Sequence, residues 1–211
     1  MPNQSSLNKH NLNYTLDDAF EKEKIAHLKN NSDNFKFLYQ DDIPHGGALD
    51  NSKLSCAVDI GSGTGWFANY LVAQRNYKKV YAIEPSKAAI DIAKKIYPNS
   101  KKVNYIQGFA EEQISKLKLV EPAFFSTMCV LAHLEDNDVS GILRTIDKIA
   151  PVGSILACSE PWGDFYHREC WNIRPPEWWS DALADWEFEF YNDYMLTDPP
   201  DRSKGFIATK L

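Results

Sequence analysis

The glycine-rich stretch from Gly61 to Gly65, with the sequence Gly-Ser-Gly-Thr-Gly, most constrains what this chain can fold into. It follows the short apolar run Leu54 to Ile60 and precedes an amphipathic segment that begins at about Trp66. Glycines between a strand and a helix allow positive φ angles and let the backbone approach a ligand where a Cβ would collide. The following helix presents free N–H groups to a polar or anionic ligand. The stretch therefore predicts a turn that binds a nucleotide-like molecule.

From residue 54 onward, short apolar runs alternate with amphipathic segments. Strands are predicted over residues 54–60, 79–84, 103–107, 124–131 and 154–159, and helices over residues 66–75, 86–96, 110–117 and 137–149. Strands that alternate with helices at this spacing form βαβ units with right-handed crossovers, and hence a parallel sheet. The sequence therefore predicts an α/β fold.

The two ends of the chain follow other patterns. Residues 1–50 carry an approximate helical stripe and no strand signal, which predicts a helical arm that packs on the core or also acts as a lid. Near the other end, a predicted helix over 176–184 precedes two strands, 186–194 and 205–211. Asp198 to Asp201 must form the turn of this hairpin, because consecutive prolines cannot take part in a strand ladder.

Because no linker or repeat interrupts the chain, we expect one domain of 211 residues. Within it we expect three parts: a helical arm or lid at 1–50, a cofactor-binding core at 54–160, and a substrate-side segment with a terminal hairpin at 161–211.

Glu84 ends the second predicted strand, at the same sheet edge as the glycine loop. An acid at this position can accept hydrogen bonds from both ribose hydroxyls of an adenosine, although it could instead only cap the next helix. The dinucleotide fingerprint needs a third glycine where this chain has Trp66, which disfavours an NAD-dependent enzyme, and the Gly-Lys-Ser/Thr of a P-loop is absent. The residues favour a nucleoside without a pyrophosphate.

The stretch from Cys56 to Pro161 resembles the class I S-adenosylmethionine-dependent methyltransferases. Val58 to Gly65 looks like the first motif of that family, and Ile83-Glu84-Pro85-Ser86 looks like the second. Three further stretches are similar to its adenine-side turn, to its segment after the fourth strand and to its turn before the fifth: Gln107 to Glu111, Cys129 to Asp136 and Ile149 to Leu156. The resemblance implies a doubly wound, mostly parallel seven-stranded sheet of order 3-2-1-4-5-7-6, with helices on both faces and an antiparallel C-terminal hairpin.

The resemblance also implies S-adenosylmethionine as the cofactor. The residues that would hold it are Asp59, Gly61, Ser62, Gly63, Gly65, Trp66, Glu84, Pro85, Phe109, Ala110, Glu111 and Cys129. The family's adenine-side turn usually carries an Asp where this chain has Phe109, so adenine N6 would be held by a backbone carbonyl or by Glu111, with Phe109 packing on the ring. The usual Pro-Gly-Gly turn is Pro151-Val152-Gly153 here, which would alter only the shape of the loop.

Methyl transfer depends mainly on positioning, and it needs a general base only when the acceptor has a proton to lose. His133 is the candidate catalytic base, because it follows the fourth strand where ligands gather in such sheets, although it could instead orient the loop. Metal-dependent members of the family carry acids just after the fourth strand. Thr127, Met128 and Cys129 stand there in this chain, so we expect no metal.

An aromatic segment follows the fifth predicted strand. Five of the six tryptophans lie between Trp162 and Trp186. These rings could line an acceptor pocket, or they could pack the last helix and the hairpin onto the sheet. The candidate substrate-binding residues in this segment are Trp162, His167 and Trp171.

The formal net charge of −6 argues against a broad nucleic-acid footprint, which needs clustered Lys and Arg. No apolar run approaches the roughly 20 residues that span a bilayer, the polar first residues lack the apolar core of a signal peptide, and the four cysteines show no CxxC spacing. We expect a reduced, cytoplasmic monomer or homodimer that methylates a small molecule on oxygen or nitrogen. A protein or peptide methyltransferase and a noncatalytic S-adenosylmethionine-binding protein remain open alternatives.

Overall fold

The computed structural model describes residues 54–128, 130–161, 172, 174–195 and 202–211. The predicted arm, the hairpin turn and four site residues lie outside these ranges; the four residues are Cys129, Trp162, His167 and Trp171. Expectations for them, and the division of the domain into three parts, stay predictions.

The described part of the chain forms seven strands and five α-helices. In chain order they are β1 Cys56–Ile60, α1 Trp66–Arg75, β2 Lys79–Glu84, α2 Lys87–Ile96, β3 Val103–Gln107, α3 Ala110–Ile114, β4 Ala123–Met128, α4 Asp136–Ile149, β5 Ile155–Pro161, α5 Pro176–Ala182, β6 Trp186–Met195 and β7 Arg202–Lys210. A short 3₁₀ turn, Leu131–His133, lies between β4 and α4.

The seven strands form one sheet of order β3-β2-β1-β4-β5-β7-β6. Strands β1 to β5 pair in parallel, and β7 pairs antiparallel with both β5 and β6. This confirms the predicted α/β class, the strand order and the antiparallel C-terminal hairpin. The order reverses between β1 and β4, and ligands of open α/β sheets bind at such a switch point, beyond the carboxyl ends of the strands.

Alternate residues of the central strands point to opposite faces of the sheet, and helices bury both faces. On one face, Phe67 and Leu71 of α1 pack in a cluster with Ala57 of β1. On the other face, Val139 and Leu143 of α4 are buried in a cluster with the neighbouring residue Val58 and with α5. The helices thus cover the sheet from both sides, as the resemblance implied.

Several predicted elements extend past the observed bounds, and three of them do so by two or more residues at the carboxyl end. The fourth strand was expected to reach Leu131, but β4 ends at Met128 and a 3₁₀ turn follows. An apolar run alone does not distinguish a buried strand from a buried turn, so the error could not be seen in the sequence. The helices predicted over 110–117 and 176–184 end at Ile114 and Ala182.

Tyr77, in the connection between α1 and β2, gives a test of the core. It is fully buried, and its hydroxyl has no hydrogen-bond partner among the described residues. Because leaving a buried polar group unpaired costs about 1–3 kcal/mol, we expect Tyr77→Phe to raise the free energy of unfolding, by about 1 kcal/mol in urea denaturation. Tyr105→Phe is the matched control, since the Tyr105 hydroxyl accepts a hydrogen bond from Asn69 Nδ2 at 2.6 Å and its loss should destabilise. Equal destabilisation by both changes would contradict the prediction.

Candidate functional site

The glycine loop joins β1 to α1 at the carboxyl edge of the sheet. Gly61, Gly63 and Gly65 have φ angles of 68°, 52° and 76°, in the left-handed region that favours glycine. The N–H groups of Gly61 and Ser62 both donate to the Ile83 carbonyl, at 2.9 and 3.0 Å. The end of β2 therefore fixes the first half of the loop.

Two of these glycines lie close to a side chain from another part of the fold, where a Cβ would collide with it. A Cβ on Gly61 would lie 2.4 Å from Val130 Cγ2, and one on Gly65 would lie 2.5 Å from the Tyr105 hydroxyl. Nothing lies within 4 Å of the corresponding position on Gly63. The first contact closes the switch point between β1 and β4, because Val130 follows β4 directly.

Glu84 is buried beside the glycine loop, at the carboxyl end of β2. Its Oε2 accepts a hydrogen bond from the Gly63 N–H, and its Oε1 accepts one from the Ser86 N–H, both at 2.9 Å. Burial raises the pKa of this carboxyl, and the two N–H donors oppose the rise. An ionised carboxylate has about four lone-pair sites, so both oxygens can still accept from ribose hydroxyls. The two sequence interpretations, a ribose acceptor and a local cap, are therefore compatible.

Asp59 is a residue of β1 that lies beside β4 and the first turn of α1, and it is only 3% exposed. Its Oδ1 accepts a hydrogen bond from Ser126 Oγ at 2.9 Å, while its Oδ2 has no hydrogen-bond partner among the described residues. Burial raises the pKa of this carboxyl to about 7; the bonds from Ser126 and the Ala68 N–H oppose the rise, and the charge of Glu84 adds to it. Ser62 Oγ is likewise buried without a described partner. Orphaned polar atoms at one loop indicate a missing polar ligand.

A cavity of about 510 Å³ opens at this edge, between the strand ends and α4. This volume is in the range of small-molecule and cofactor sites. Five of the predicted cofactor residues line it: Gly61, Pro85, Phe109, Ala110 and Glu111. The ring of Phe109 is 40% exposed, so it is available to pack against a planar ligand.

One wall of the cavity consists of residues that were not among the predicted site residues. Asp138, Ile142 and Thr145 of α4 line it, together with Val130 and Leu134 from the preceding turn. The first three lie four and three residues apart, on one face of a helix. Amphipathic spacing predicts that such a face is covered, but it does not distinguish a cavity wall from a core contact.

Trp66 was expected to contact the cofactor, and the structure places its ring outside the lining of the 510 Å³ cavity. The ring is buried against Phe67 and Tyr70, with centroids 6.1 and 5.6 Å away, and it lines a different cavity, between α1 and residues 96–102. Trp66 begins α1, so its ring shares a helix face with Tyr70, one turn later.

The other predicted site residues fall into two groups. Asp59, Ser62, Gly63, Gly65 and Glu84 form the loop and its support, outside the lining of the 510 Å³ cavity. His133 is half-buried in the 3₁₀ turn, between the cavity-lining residues Val130 and Leu134.

Of the aromatic segment, the described tryptophans pack the end of the fold. Trp179 and Trp186 are buried in the cluster beneath α4 and the hairpin, and Trp178 packs against that cluster. For these three the packing interpretation is confirmed.

Two further properties of the described ranges concern metal ions and the membrane. Among those residues, no group of three or more His, Cys, Asp or Glu side chains is placed to hold a metal ion. In the same ranges, no helix has both the length and the apolar character needed to cross a bilayer.

The loop, the acid after β2 and the switch point define a nucleotide-binding α/β protein. The family described as a methyltransferase domain matches residues 20–195. The chain belongs to this family, and the predicted class is confirmed: it is a class I S-adenosylmethionine-dependent methyltransferase, with S-adenosylmethionine as its cofactor.

Several solved structures share the fold at low sequence identity. A methyltransferase from Archaeoglobus fulgidus is 14% identical with a TM-score of 0.59, over 90% of this chain and 94% of that one. CalS10, an amino pentose methyltransferase from Micromonospora echinaspora, is 12% identical with a TM-score of 0.59, over 77% of this chain and 86% of that one. The mitomycin 7-O-methyltransferase MmcR is 16% identical with a TM-score of 0.60, over 77% of this chain and 50% of that one. No curated protein matches the sequence significantly.

The residues present fit S-adenosylmethionine. Asp59 Oδ2 and Ser62 Oγ offer unsatisfied polar atoms at the loop, and Glu84 has acceptor capacity to spare. The cavity beside Phe109 has the size and the mainly apolar lining of a nucleoside site.

Proposed function

We propose that this enzyme transfers the methyl group of S-adenosylmethionine to an oxygen or nitrogen atom of a small-molecule acceptor, by direct in-line displacement and without a metal. The cofactor supplies a methyl carbon that its sulfonium charge already activates. The task of the protein is therefore to hold donor and acceptor in line, since good orientation alone can lower a barrier by several kcal/mol or more.

On the donor side, the loop residues and the cavity residues divide the work. Glu84 accepts the ribose hydroxyls, and Phe109 packs on the adenine, with Glu111 or a backbone carbonyl at N6. Asp59 and Ser62 meet the polar amino-acid end at the glycine loop. This assignment is supported by the orphaned atoms at the loop and by the exposed ring at the cavity.

On the acceptor side, one contact carries the proposal. The Asn172 N–H donates to the Ala132 carbonyl at 2.7 Å, within the turn that contains His133. Asn172, which follows the predicted substrate residues Trp162, His167 and Trp171 in the chain, therefore lies against the turn after β4. An acceptor held by this segment reaches the cofactor beside His133, which takes up the proton when the acceptor must lose one.

Two further observations support a small acceptor in a reducing compartment. The same fold is found in methyltransferases named for an amino pentose and for mitomycin, so it accommodates small acceptors. Cys56 has a free thiol, which is the usual state of cysteines in the cytoplasm.

The test is the formation of S-adenosylhomocysteine with a panel of phenols, amines and sugars, beside a panel of peptides. We expect turnover with at least one small hydroxyl or amine compound and a loss of kcat in His133→Ala for a protonated acceptor. Turnover with peptides alone would replace the proposal by the protein methyltransferase alternative.

Asp59 predicts an unusual pH dependence of stability. Its folded-state pKa of about 7 lies above its ordinary value of 3.8, so between these pH values the folded state holds a proton that the unfolded state has lost. Its contribution to the free energy of unfolding is therefore fully present below about pH 4 and is lost as pH rises towards 7. One pKa unit corresponds to about 1.4 kcal/mol. Asp59→Asn should therefore reduce the change in the free energy of unfolding between about pH 4 and pH 7 by a few kcal/mol, measured by urea denaturation. Asp91→Asn, an exposed site, is the control; an unchanged slope in Asp59→Asn would contradict the prediction.

A further inference from the structure

We propose that Arg174 is a positioning residue of the methyl-transfer site, which holds the turn after β4 against both the cofactor cavity and the end of the acceptor-side segment. The cofactor part rests on the described residues alone. The acceptor part rests on the function proposed above.

Arg174 is a nearly buried cation, 4% exposed, whose donors meet acceptors on several segments. Its Nε donates to Asp136 Oδ1 at 2.8 Å, at the start of α4. Its Nη1 donates to the Leu131 carbonyl at 2.9 Å, and its Nη2 donates to the Leu134 carbonyl at 2.6 Å. The guanidinium therefore spans the 3₁₀ turn from one end to the other.

That turn forms part of the cofactor site. Val130 immediately precedes it and Leu134 immediately follows it, and both line the 510 Å³ cavity. Val130 also lies against Gly61, where a Cβ would clash. His133 is inside the turn, so a shift of the two carbonyls that Arg174 holds would move the cavity wall and the candidate base together.

The same arginine fixes the chain that returns from the acceptor-side segment. Its Nη1 also donates to the Asn172 carbonyl at 3.2 Å, and its own carbonyl accepts from Trp179 Nε1 at 3.3 Å. Asn172 Nδ2 donates to the Leu134 carbonyl at 2.9 Å. Asn172, the turn and α5 are therefore joined at one side chain.

The planar fork of arginine is what makes this arrangement possible. A guanidinium carries five N–H donors in fixed directions, whereas a lysine ammonium is a compact point charge on a flexible stem. The only carboxylate among the acceptors found in the described part of the chain is Asp136, which is itself largely exposed. Three backbone carbonyls accept from three of the other four donors, so geometry rather than charge pairing explains the residue.

The test compares Arg174→Met and Arg174→Lys with a matched control, by calorimetric titration with S-adenosylhomocysteine and by hydrogen exchange over residues 130–136. The control is Asp147→Asn at the opposite end of α4, where Asp147 Oδ1 accepts from Trp186 Nε1 at 2.9 Å. We expect Arg174→Met to weaken S-adenosylhomocysteine binding at least tenfold and to speed exchange in the turn, with a smaller effect in Arg174→Lys. Asp147→Asn should lower the melting temperature and leave the affinity unchanged.

Unchanged affinity and unchanged exchange in Arg174→Met would overturn the proposal, as would an equal loss of affinity in Asp147→Asn. If Arg174→Met does not fold, Arg174→Lys and Asn172→Ala carry the test with the same readouts. Because S-adenosylhomocysteine binding needs no acceptor, failure here is distinguishable from failure to find a small-molecule acceptor. With an acceptor in hand, we expect Arg174→Lys to raise the KM for the acceptor by a larger factor than it lowers kcat. Asp147→Asn should change neither value.

Discussion

Replacing Glu84 with alanine should weaken S-adenosylmethionine binding by about 100-fold or more. Hydrogen bonds to a charged group contribute about 1.5–3 kcal/mol each, and in the proposed site the substitution removes the acceptor of two ribose hydroxyls. It also leaves the Gly63 N–H, which Glu84 Oε2 accepts at 2.9 Å, without a partner inside the loop that holds the cofactor. The affinity for the cofactor should therefore fall for two reasons: a direct contact is lost, and the shape of the loop changes.

The isosteric change separates these two routes. Glu84→Gln keeps one acceptor oxygen but turns an NH₂ group towards either the Gly63 or the Ser86 N–H. We expect a loss of affinity between those of wild type and Glu84→Ala in calorimetric titration. Glu187→Gln, on the exposed surface of β6, is the control and should bind normally. Wild-type affinity in Glu84→Gln would contradict the prediction, because the variant loses an acceptor oxygen that the loop and the ribose would share.

The glycine loop could be predicted because its signals are local. The positive φ angles of Gly61, Gly63 and Gly65 follow from a short connection between a strand and a helix, and Glu84 lies where a parallel neighbour must end. What the sequence did not contain is the reason that Gly61 tolerates no side chain, which is Val130 from the turn after β4. The direction of the Trp66 ring was missed for a related cause, since it depends on which helix flank Tyr70 and Phe67 occupy.

Arg174 shows why the rest of the site could not be predicted. Its acceptors on Leu131, Leu134 and Asp136 come from a turn that pattern analysis assigned partly to a strand. Backbone carbonyls carry no residue-type signal, so an arginine that binds them looks in the sequence like any surface arginine. The seven-stranded order came from family resemblance rather than from periodicity, because apolar runs predict that strands exist but not which strands are neighbours.

Among substitutions that add one methyl group to the glycine loop, Gly61→Ala should lower stability and cofactor affinity the most. The φ angle of 68° costs a residue with a Cβ about 1–2 kcal/mol. The new Cβ would also lie 2.4 Å from Val130 Cγ2, and overpacking of this kind costs typically about 1–3 kcal/mol. We expect the free energy of unfolding to fall by about 3 kcal/mol and S-adenosylmethionine affinity to fall more than tenfold, because relief of the clash requires the loop or the turn after β4 to move.

Gly63→Ala separates backbone strain from collision within the same loop. Its φ angle of 52° is equally unfavourable to alanine, but nothing lies within 4 Å of the added Cβ. It should therefore lose about 1–2 kcal/mol of stability, from backbone strain alone. Val130→Ala in the Gly61→Ala background removes both Cγ atoms and should recover about 1–2 kcal/mol beyond additivity, as residues in contact commonly do. A strictly additive double variant, measured by urea denaturation and by titration with the cofactor, would mean that strain rather than Val130 sets the cost. The contact between Gly61 and Val130 would then not be the reason that position 61 needs glycine.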